Sequence, residues 1–566
     1  MSEYEFIVAL TLIFSVAALL LVVASRYSLP AVPFYVLAGV FIGGFIDEGQ
    51  LFDLAQWGIA FLVFAFAVQF EPFSDESLGR DAWLVGVVQI LVTGTITYAV
   101  AHLVGFTGLQ AVYFAIAGTL SSSLVALSLL ERRVRLRSLH ERLAEALHFV
   151  EDVAAILIIL VLHAVVYTDD AVLTMLAGVG LLVGALAFRR FVFDRIATFA
   201  DGDVEILMLT AISLIIGFIA VAELTGVSIV VGAFAAGLAV TSEYPHDIGV
   251  VDAIGSLEDF FAPIFFVTVG ALLTFPLLSA PAVAMETLGV AALLVAVIVV
   301  LNPLVIYGSL RWRGYDSRTA FLTGYSLDQI SEFALIIAIE ALVAGLLVDA
   351  LFDAIVLATI ITMLASAATA RRAANWHRRL VDRGLLTTSR EAVARKSRVA
   401  DDLSGHVIVT GYDREGQQIV AVCEELDYPY LVIETDPNRR DQVRAACENY
   451  VFGDTMADAT WTVARADEAA LIVATNPRRA WAEHVLSLEV GSDTIVRAVD
   501  VESGVDLLER GALFVAVPDA LAAERLHNHV EALLADELSR EELRELAAER
   551  LDQAVEYGPS DVARVR

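Results

Sequence analysis

Two adjacent carboxylates, Glu151 and Asp152, interrupt an otherwise apolar run, His148-Phe149-Val150-Glu151-Asp152-Val153-Ala154-Ala155-Ile156. An acid near mid-bilayer costs about 2.5–3.5 kcal/mol on insertion scales, so one retained there lines a cavity and has a task. The bland alternative is a span that starts later and leaves both acids at the membrane interface. Neighbours on a helix point about 100° apart, so the two acids cannot aim at one point and one of them faces the site squarely. Removed from water side by side, they titrate as a coupled pair, which suits the exchange of a proton for a cation. His148, one turn before Asp152, is either a pH-sensing group or polar filler.

The preceding apolar stretch contains Gly118-Thr119-Leu120-Ser121-Ser122-Ser123. Four hydroxyls and a glycine in mid-span weaken a helix and supply oxygens, as expected of a discontinuous helix whose freed carbonyls bind a cation. Hydroxyls bonded back to their own helix are the plainer alternative. A matching element follows late in the chain, Asp328-Gln329-Ile330-Ser331-Glu332-Phe333. On a helix Asp328 and Glu332 share a face, an arrangement that like charges disfavour without a cation or proton between them.

The elements that hold these groups are set by composition. The chain has 566 residues, 58% hydrophobic and 19% charged, yet its formal net charge is -32. A mean hydropathy of +0.71 is too apolar for one soluble fold, and the length exceeds what a single core fills. A membrane part and a soluble part are therefore expected, and the charges divide them. Residues 401–566 hold 34 acidic residues against 15 arginines, while residues 1–400 hold 35 against 22 basic ones. Nucleic acid is an improbable partner for so acidic a chain. Lys396 is the single lysine. Dense carboxylate with almost no lysine resembles the proteins of salt-loving archaea, whose cytoplasm screens such charge. Cys423 and Cys447 lie at no metal or redox spacing and are read as reduced core thiols. The N-terminus carries no positive region ahead of its apolar run, so no cleaved signal peptide is expected.

Apolar runs long enough to cross a bilayer occur near 6–25, 29–45, 54–70, 81–104, 108–130, 144–167 and 171–187, then near 203–222, 226–240, 257–275, 284–310, 316–345 and 348–370. The arginines test this series of thirteen independently. Arg26, Arg80, the group Arg132, Arg133, Arg135, Arg137 and Arg142, then Arg189, Arg190 and Arg195, then Arg311 and Arg313, with Arg318 at the adjoining start of the twelfth run, fall at every second loop. By the positive-inside rule the N-terminus is outside and the C-terminus cytoplasmic. Grouping as six, one and six gives inverted repeats, the plan of many secondary transporters.

These residues carry a resemblance to the second monovalent cation:proton antiporter family. Glu151-Asp152 resembles its acidic pair, Ser121-Ser122-Ser123 its Ser-Ser-Thr crossing and Gln329-Ile330-Ser331-Glu332-Phe333 its Gln-Gly-Ser-Glu-Phe segment. Gly232-Ala233-Phe234-Ala235-Ala236-Gly237 and Phe265-Phe266-Val267-Thr268-Val269-Gly270 are similar to two further signatures. The resemblance implies an ion and proton site at Asp152, Glu151, Ser121, Ser122, Ser123, Asp328, Gln329, Glu332 and Asn302. At Asn302 the chain departs from the family, which has an intramembrane lysine where this sequence reads Leu301-Asn302-Pro303, so the number of protons per cycle is open.

After a basic, helix-like connection over 371–403 the pattern becomes alternating strands and helices, with strands at 406–410, 430–434, 449–452, 470–474, 494–498 and 513–516, the mark of a doubly wound parallel sheet. The first strand ends in Gly411-Tyr412-Asp413-Arg414-Glu415-Gly416, and Glu434 follows at the end of the next. This is the layout of a dinucleotide fingerprint with Asp413 in place of the middle glycine, where a carboxylate repels diphosphate. Residues 404 to about 525 resemble the RCK, or TrkA-N, domain of potassium channels and Kef-type antiporters, through Glu434-Thr435-Asp436-Pro437 and Gly453-Asp454. The resemblance implies a homodimer and a site at Gly411, Asp413, Arg414, Gly416, Glu434 and Asp454 for NAD(H), an adenine nucleotide or nothing. Residues 520–552 read as one acidic helix.

The domains expected are a transmembrane exchanger over 1–370, the linker 371–403, a Rossmann-like lobe over 404–519 and an acidic tail over 520–566. The leading function is antiport of K+ or Na+ against protons across the cell membrane, regulated by the cytoplasmic domain. A gated cation channel is the alternative, although no Gly-rich pore filter occurs. A membrane-anchored enzyme is the third, although no nucleophile, base and orienter set or metal site occurs in the soluble part.

Overall fold

The computed structural model describes residues 3–556 apart from 28, 47, 69–75, 126–137, 194, 197–198, 200–202, 241–247, 275–279, 387–389, 477 and 489. Arg132, Arg133, Arg135 and Arg137, four of the arginines that mark loop sides, lie outside the described residues. The chain forms two compact units. One is built from the described residues up to 310 together with 320–375, the other chiefly from 311–319 and 376 onward.

The first unit is all helical. Its helices in chain order are α1 (Glu3–Arg26), α2 (Val32–Ile42), α3 (Glu48–Val68), α4 (Glu76–Leu103), α5 (Leu109–Ala117), α6 (Leu139–Tyr167), α7 (Ala171–Phe188), α8 (Val204–Leu224), α9 (Ile229–Ala239), α10 (Ile248–Ala271), α11 (Pro281–Arg313), α12 (Ser317–Tyr325), α13 (Glu332–Val343) and α14 (Asp349–Asp382). Among the described residues seven helices are long and apolar enough to cross a membrane, with shorter apolar helices at Val32–Phe45, Leu54–Val68 and Ile229–Ala239. Many large apolar side chains on α1, α4, α7 and α8 are exposed, as helices facing lipid require.

Two segments break where hydroxyls and acids interrupt the apolar pattern. The helix α5 stops at Ala117, and the chain is non-helical to Ser122. The gap between α12 and α13 covers 326–331. The breaks lie side by side: Ser121 and Ile330 form an antiparallel bridge, Ser122 N donates to Gln329 O at 3.3 Å, and Ser331 N donates to Leu120 O at 3.0 Å. Each broken chain thus satisfies the other's backbone, the condition on which irregular backbone survives at membrane depth.

The glycine signatures have a packing cause. A Cβ at Gly270 in α10 would stand 1.8 Å from Val36 O, and one at Gly39 in α2 would stand 2.0 Å from Val267 O. These helices cross at backbone distance, which only glycine permits.

The second unit holds a six-stranded parallel sheet: β1 (Val407–Thr410), β2 (Tyr430–Glu434), β3 (Tyr450–Phe452), β4 (Leu471–Ala474), β5 (Asp493–Arg497) and β6 (Phe514–Ala516), in the order β3-β2-β1-β4-β5-β6. Helix α16 (Arg414–Glu425) follows β1; α15 is Arg390–Ala394. Cys423 and Cys447 are free and buried, as expected.

Two expectations are corrected here. The tail is not one acidic helix but two, Pro518–Leu534 and Arg540–Glu556, because Asp536 adopts a left-handed conformation (φ 57°) that stops the first. The supposed shared helix face of Asp328 and Glu332 does not exist either, since Asp328 lies in the break before α13 begins.

Candidate functional site

The site forms where α6 passes the two breaks. Glu151 and Asp152 are both 1% exposed and lie near the middle of α6 (Leu139–Tyr167), away from either end of the helix. Glu151 turns to the first break, where Oε2 accepts from Ser121 N at 2.8 Å and from the Ser121 hydroxyl. Asp152 turns elsewhere, as the 100° offset requires. Among the described residues neither of its oxygens has a donor at hydrogen-bonding geometry, since the Ser123 hydroxyl that acts on it donates to Glu332, and the like charges acting on it are those of Glu332 and Glu151.

Glu332 opens α13 from the second break. Its Oε1 accepts from the Ser123 hydroxyl at 2.9 Å and from Leu124 N at 3.4 Å, while among the described residues Oε2 has no donor at hydrogen-bonding geometry. Glu151 and Glu332 therefore grip opposite ends of the Ser121-Ser122-Ser123 segment. Ser121 and Ser123 act as donors to carboxylates here, and two of the freed carbonyls accept from amides: Gln329 Nε2 donates to Ser122 O at 2.9 Å and Gln89 Nε2 to Thr119 O at 2.9 Å. Bare carboxylate oxygens of Asp152, Asp328 and Glu332 stand beside them as open acceptors. Asp328 is 1% exposed, and among the described residues neither of its oxygens has a donor at hydrogen-bonding geometry.

Asn302, fully buried, ties the two breaks together. A π-helical turn over Val297–Leu301 precedes it in α11, the kind of bulge that re-aims a side chain. Its Nδ2 donates to Leu327 O at 2.9 Å beside the second break, and its Oδ1 accepts at 2.6 Å from Gln89 Nε2, the amide that also holds Thr119 O at the first. Sequence reasoning flagged Asn302 for a missing charge and overlooked Gln89; its signal was a lone amide amid the apolar residues of α4. His148, 2% exposed, is also part of the cluster, with Nδ1 3.2 Å from the Ser121 hydroxyl.

The fingerprint residues of the second unit meet at the carboxyl ends of β1 and β2, beside the β1/β4 switch point where ligands of such sheets bind. Gly411 takes a left-handed φ of 88°, and a Cβ on Gly416 would strike Gly411 O at 2.0 Å, so turn and helix are close enough for phosphate. The position is nevertheless filled. Asp413 caps α16, its Oδ1 accepting from Gly416 N at 3.0 Å, which spends a donor that phosphate would need and puts a negative charge in its place. Glu434 is also engaged: Oε2 accepts from Tyr412 N at 2.9 Å, and Oε1 from Thr435 N at 2.7 Å and Asp436 N at 2.9 Å. Burial pushes its carboxyl up, against Arg439 at 3.9 Å. A diphosphate does not fit this helix N-terminus. Asp454 accepts from Met456 N at 2.9 Å at the end of β3, and Arg414 is exposed on the first turn of α16.

Comparison with known proteins gives three findings. The family model described as "Sodium/hydrogen exchanger, transmembrane" matches residues 11–375, and the TrkA-N domain matches 407–518. The chain is 26% identical over 465 residues to a protein of Escherichia coli named as a cation/proton antiporter, YbaL, covering 78% of this chain and 81% of that one. It is also 26% identical over 539 residues to one of Alkalimonas amylolytica named as a K+ efflux antiporter, KefB, covering 90% and 78%. Among solved structures, the sodium proton antiporter MjNhaP1 of Methanocaldococcus jannaschii aligns with 65% of this chain and 99% of its own, at 16% identity and a TM-score of 0.49.

Proposed function

Because the chain belongs to the sodium/hydrogen exchanger family and carries a TrkA-N domain behind it, we infer that it exchanges a monovalent cation for protons across a membrane under control of that domain. It is a multi-pass membrane transporter.

We assign the exchange to Asp152. A carboxylate removed from water with no donor on either oxygen must be neutralised, and in this site a proton or a cation does it. The two compete for the same oxygens, so each leaves as the other arrives. The observation that carries the mechanism is a contrast at the crossing: Glu151 and Glu332 are held by serine and backbone donors, whereas neither oxygen of Asp152, beside them on α6, has a donor at hydrogen-bonding geometry among the described residues. Glu151 fixes the first break, Glu332 fixes the second break against it, and Gln89 and Asn302 lock both with neutral groups where a lysine would add a charge. Asp328 and the free Oε2 of Glu332 supply further acceptors beside the breaks.

The alternation of arginine-bearing loops supports an external N-terminus and a cytoplasmic TrkA-N domain. The domain resemblance supports a homodimer. The carboxylate at Asp413 supports a regulatory ligand without diphosphate, such as a mononucleoside, or a domain that acts through pairing alone.

The test is dissipation of an imposed pH gradient in proteoliposomes on adding Na+ or K+, with and without a membrane potential. Cation-driven loss of the gradient is expected. Cation flux that leaves the gradient intact would indicate a channel.

A further inference from the structure

The helix α13 begins at Glu332 and carries a second acid, Glu340, eight residues on, about 12 Å along its axis. Glu340 belongs to neither break. It lines a cavity of about 380 Å³ bounded by α3, the end of α6, the turn between α8 and α9, and the end of α13. The polar groups lining it include Glu340, Glu223, His163, Tyr167, Ser228 and Gln56, and the remaining wall is largely aliphatic. Ser228 Oγ donates to Glu340 Oε1 at 3.3 Å, and Tyr167 OH donates to Glu340 O at 3.1 Å.

The cavity does not run into the Asp152 site. Between Glu340 and Glu332 the helix presents Phe333, Ile336 and Ile337, all buried, and Phe66 of α3 meets Phe333 edge-on at 5.6 Å. Size and charge suit a hydrated cation. A monovalent ion with about six waters at ~30 Å³ each fills roughly 200 Å³, well within the space. The lining carries two carboxylates and neither lysine nor arginine. A cleft lined by one sign of charge between apolar walls concentrates the opposite ion.

We propose that this cavity is a second cation site, in which Glu340 holds a hydrated monovalent cation waiting for passage past the Phe66–Phe333 contact to Asp152. The proposal rests on the antiport reading for its role in transport, but the cation preference of the cavity does not.

Two experiments on the full-length protein keep these apart. First, Gln56→Cys is labelled with a cationic and an anionic methanethiosulfonate of similar size, using the unsubstituted protein, whose cysteines are buried, as background. The cationic reagent is expected to react roughly tenfold faster or more. The ratio should fall towards one on adding Glu340→Gln and stay high with Glu340→Asp, which also shows that the fold survives. Second, in oriented proteoliposomes, Glu340→Gln should raise the half-saturating Na+ or K+ concentration severalfold from the face the reagents reach, with the rate at saturating cation retained. Equal labelling by both reagents, or a preference that Glu340→Gln leaves intact, overturns the site. An unmoved half-saturating concentration overturns its role in transport. Absent exchange in the unsubstituted protein, with cationic preference intact, removes the antiport reading and leaves the cation site standing.

Discussion

Replacing Asn302 by leucine removes a clamp without emptying its space. The substitution deletes two buried bonds, the 2.6 Å contact from Gln89 and the 2.9 Å donation to Leu327 O. It strands the Leu327 carbonyl, while Gln89 keeps Thr119 O. A buried polar group left without its partner costs about 1–3 kcal/mol, so the single substitution should cost about 2–4 kcal/mol. Gln89→Leu also deletes two bonds, to Thr119 O and to Asn302, and strands Thr119 O instead. The double substitution deletes three bonds, not four, because one is shared. Its cost should therefore fall short of the sum by about 1 kcal/mol, the coupling expected of groups in one network. Melting of the purified protein in detergent reads this as a drop of several °C for each single substitution and less than their sum for the pair. Exchange should slow with each, because both hold the breaks that carry the carboxylates. Single variants that melt with the parent, or a double variant whose loss equals the sum, would refute the clamp.

Three further outcomes are expected. Asp413→Gly removes a carboxylate that, at about 4 Å from a phosphate and an effective dielectric near 20, opposes binding by roughly 4 kcal/mol, while a glycine cap costs only a few tenths. Titration of the full-length protein with NADH should show affinity gained by a hundredfold or more, and an unchanged titration would clear Asp413 of blocking the site. Gly270→Ala puts a Cβ 1.8 Å from Val36 O, so it should cost about 1–3 kcal/mol in melting experiments and reduce the folded yield, and a neutral result would mean that α2 and α10 do not pack at backbone distance. Asp454 is pushed up to about 6 by burial and then by Asp316, against Arg318. Its folded form holds the proton more tightly than the unfolded chain, so the stability it contributes is full below about pH 4 and falls by about 3 kcal/mol as pH rises to about 6. Asp454→Asn should remove that part of the slope when the TrkA-N unit is melted across this range, and parallel curves would contradict the assignment.

The sequence was legible where chemistry conflicts with its surroundings. Acids and clustered hydroxyls inside apolar runs located both breaks, and short continuous apolar runs separated by helical stretches located all six strands. Three-dimensional pairing was less legible. Nothing local says that Glu151 reaches Ser121 while Glu332 reaches Ser123, because that depends on two breaks meeting from distant parts of the chain. Helical spacing misled at Asp328, since the rule of four assumes a helix that the break abolishes. Gln89 escaped because one amide in a long apolar helix has no partner visible along the chain; its partners are 30 and 213 residues away. The split of the tail into two helices turned on the backbone of Asp536, an ordinary surface residue in sequence.

The central claim is that Asp152 carries cation and proton in turn. It is tested most directly by reconstituting Asp152→Asn beside the unsubstituted protein and following an imposed pH gradient on addition of Na+ and of K+. Asparagine keeps the size and loses the exchangeable charge. The unsubstituted protein should collapse the gradient with at least one cation, and Asp152→Asn with neither, while folding to the same melting temperature within a few °C. Full exchange by Asp152→Asn would remove this residue from the mechanism.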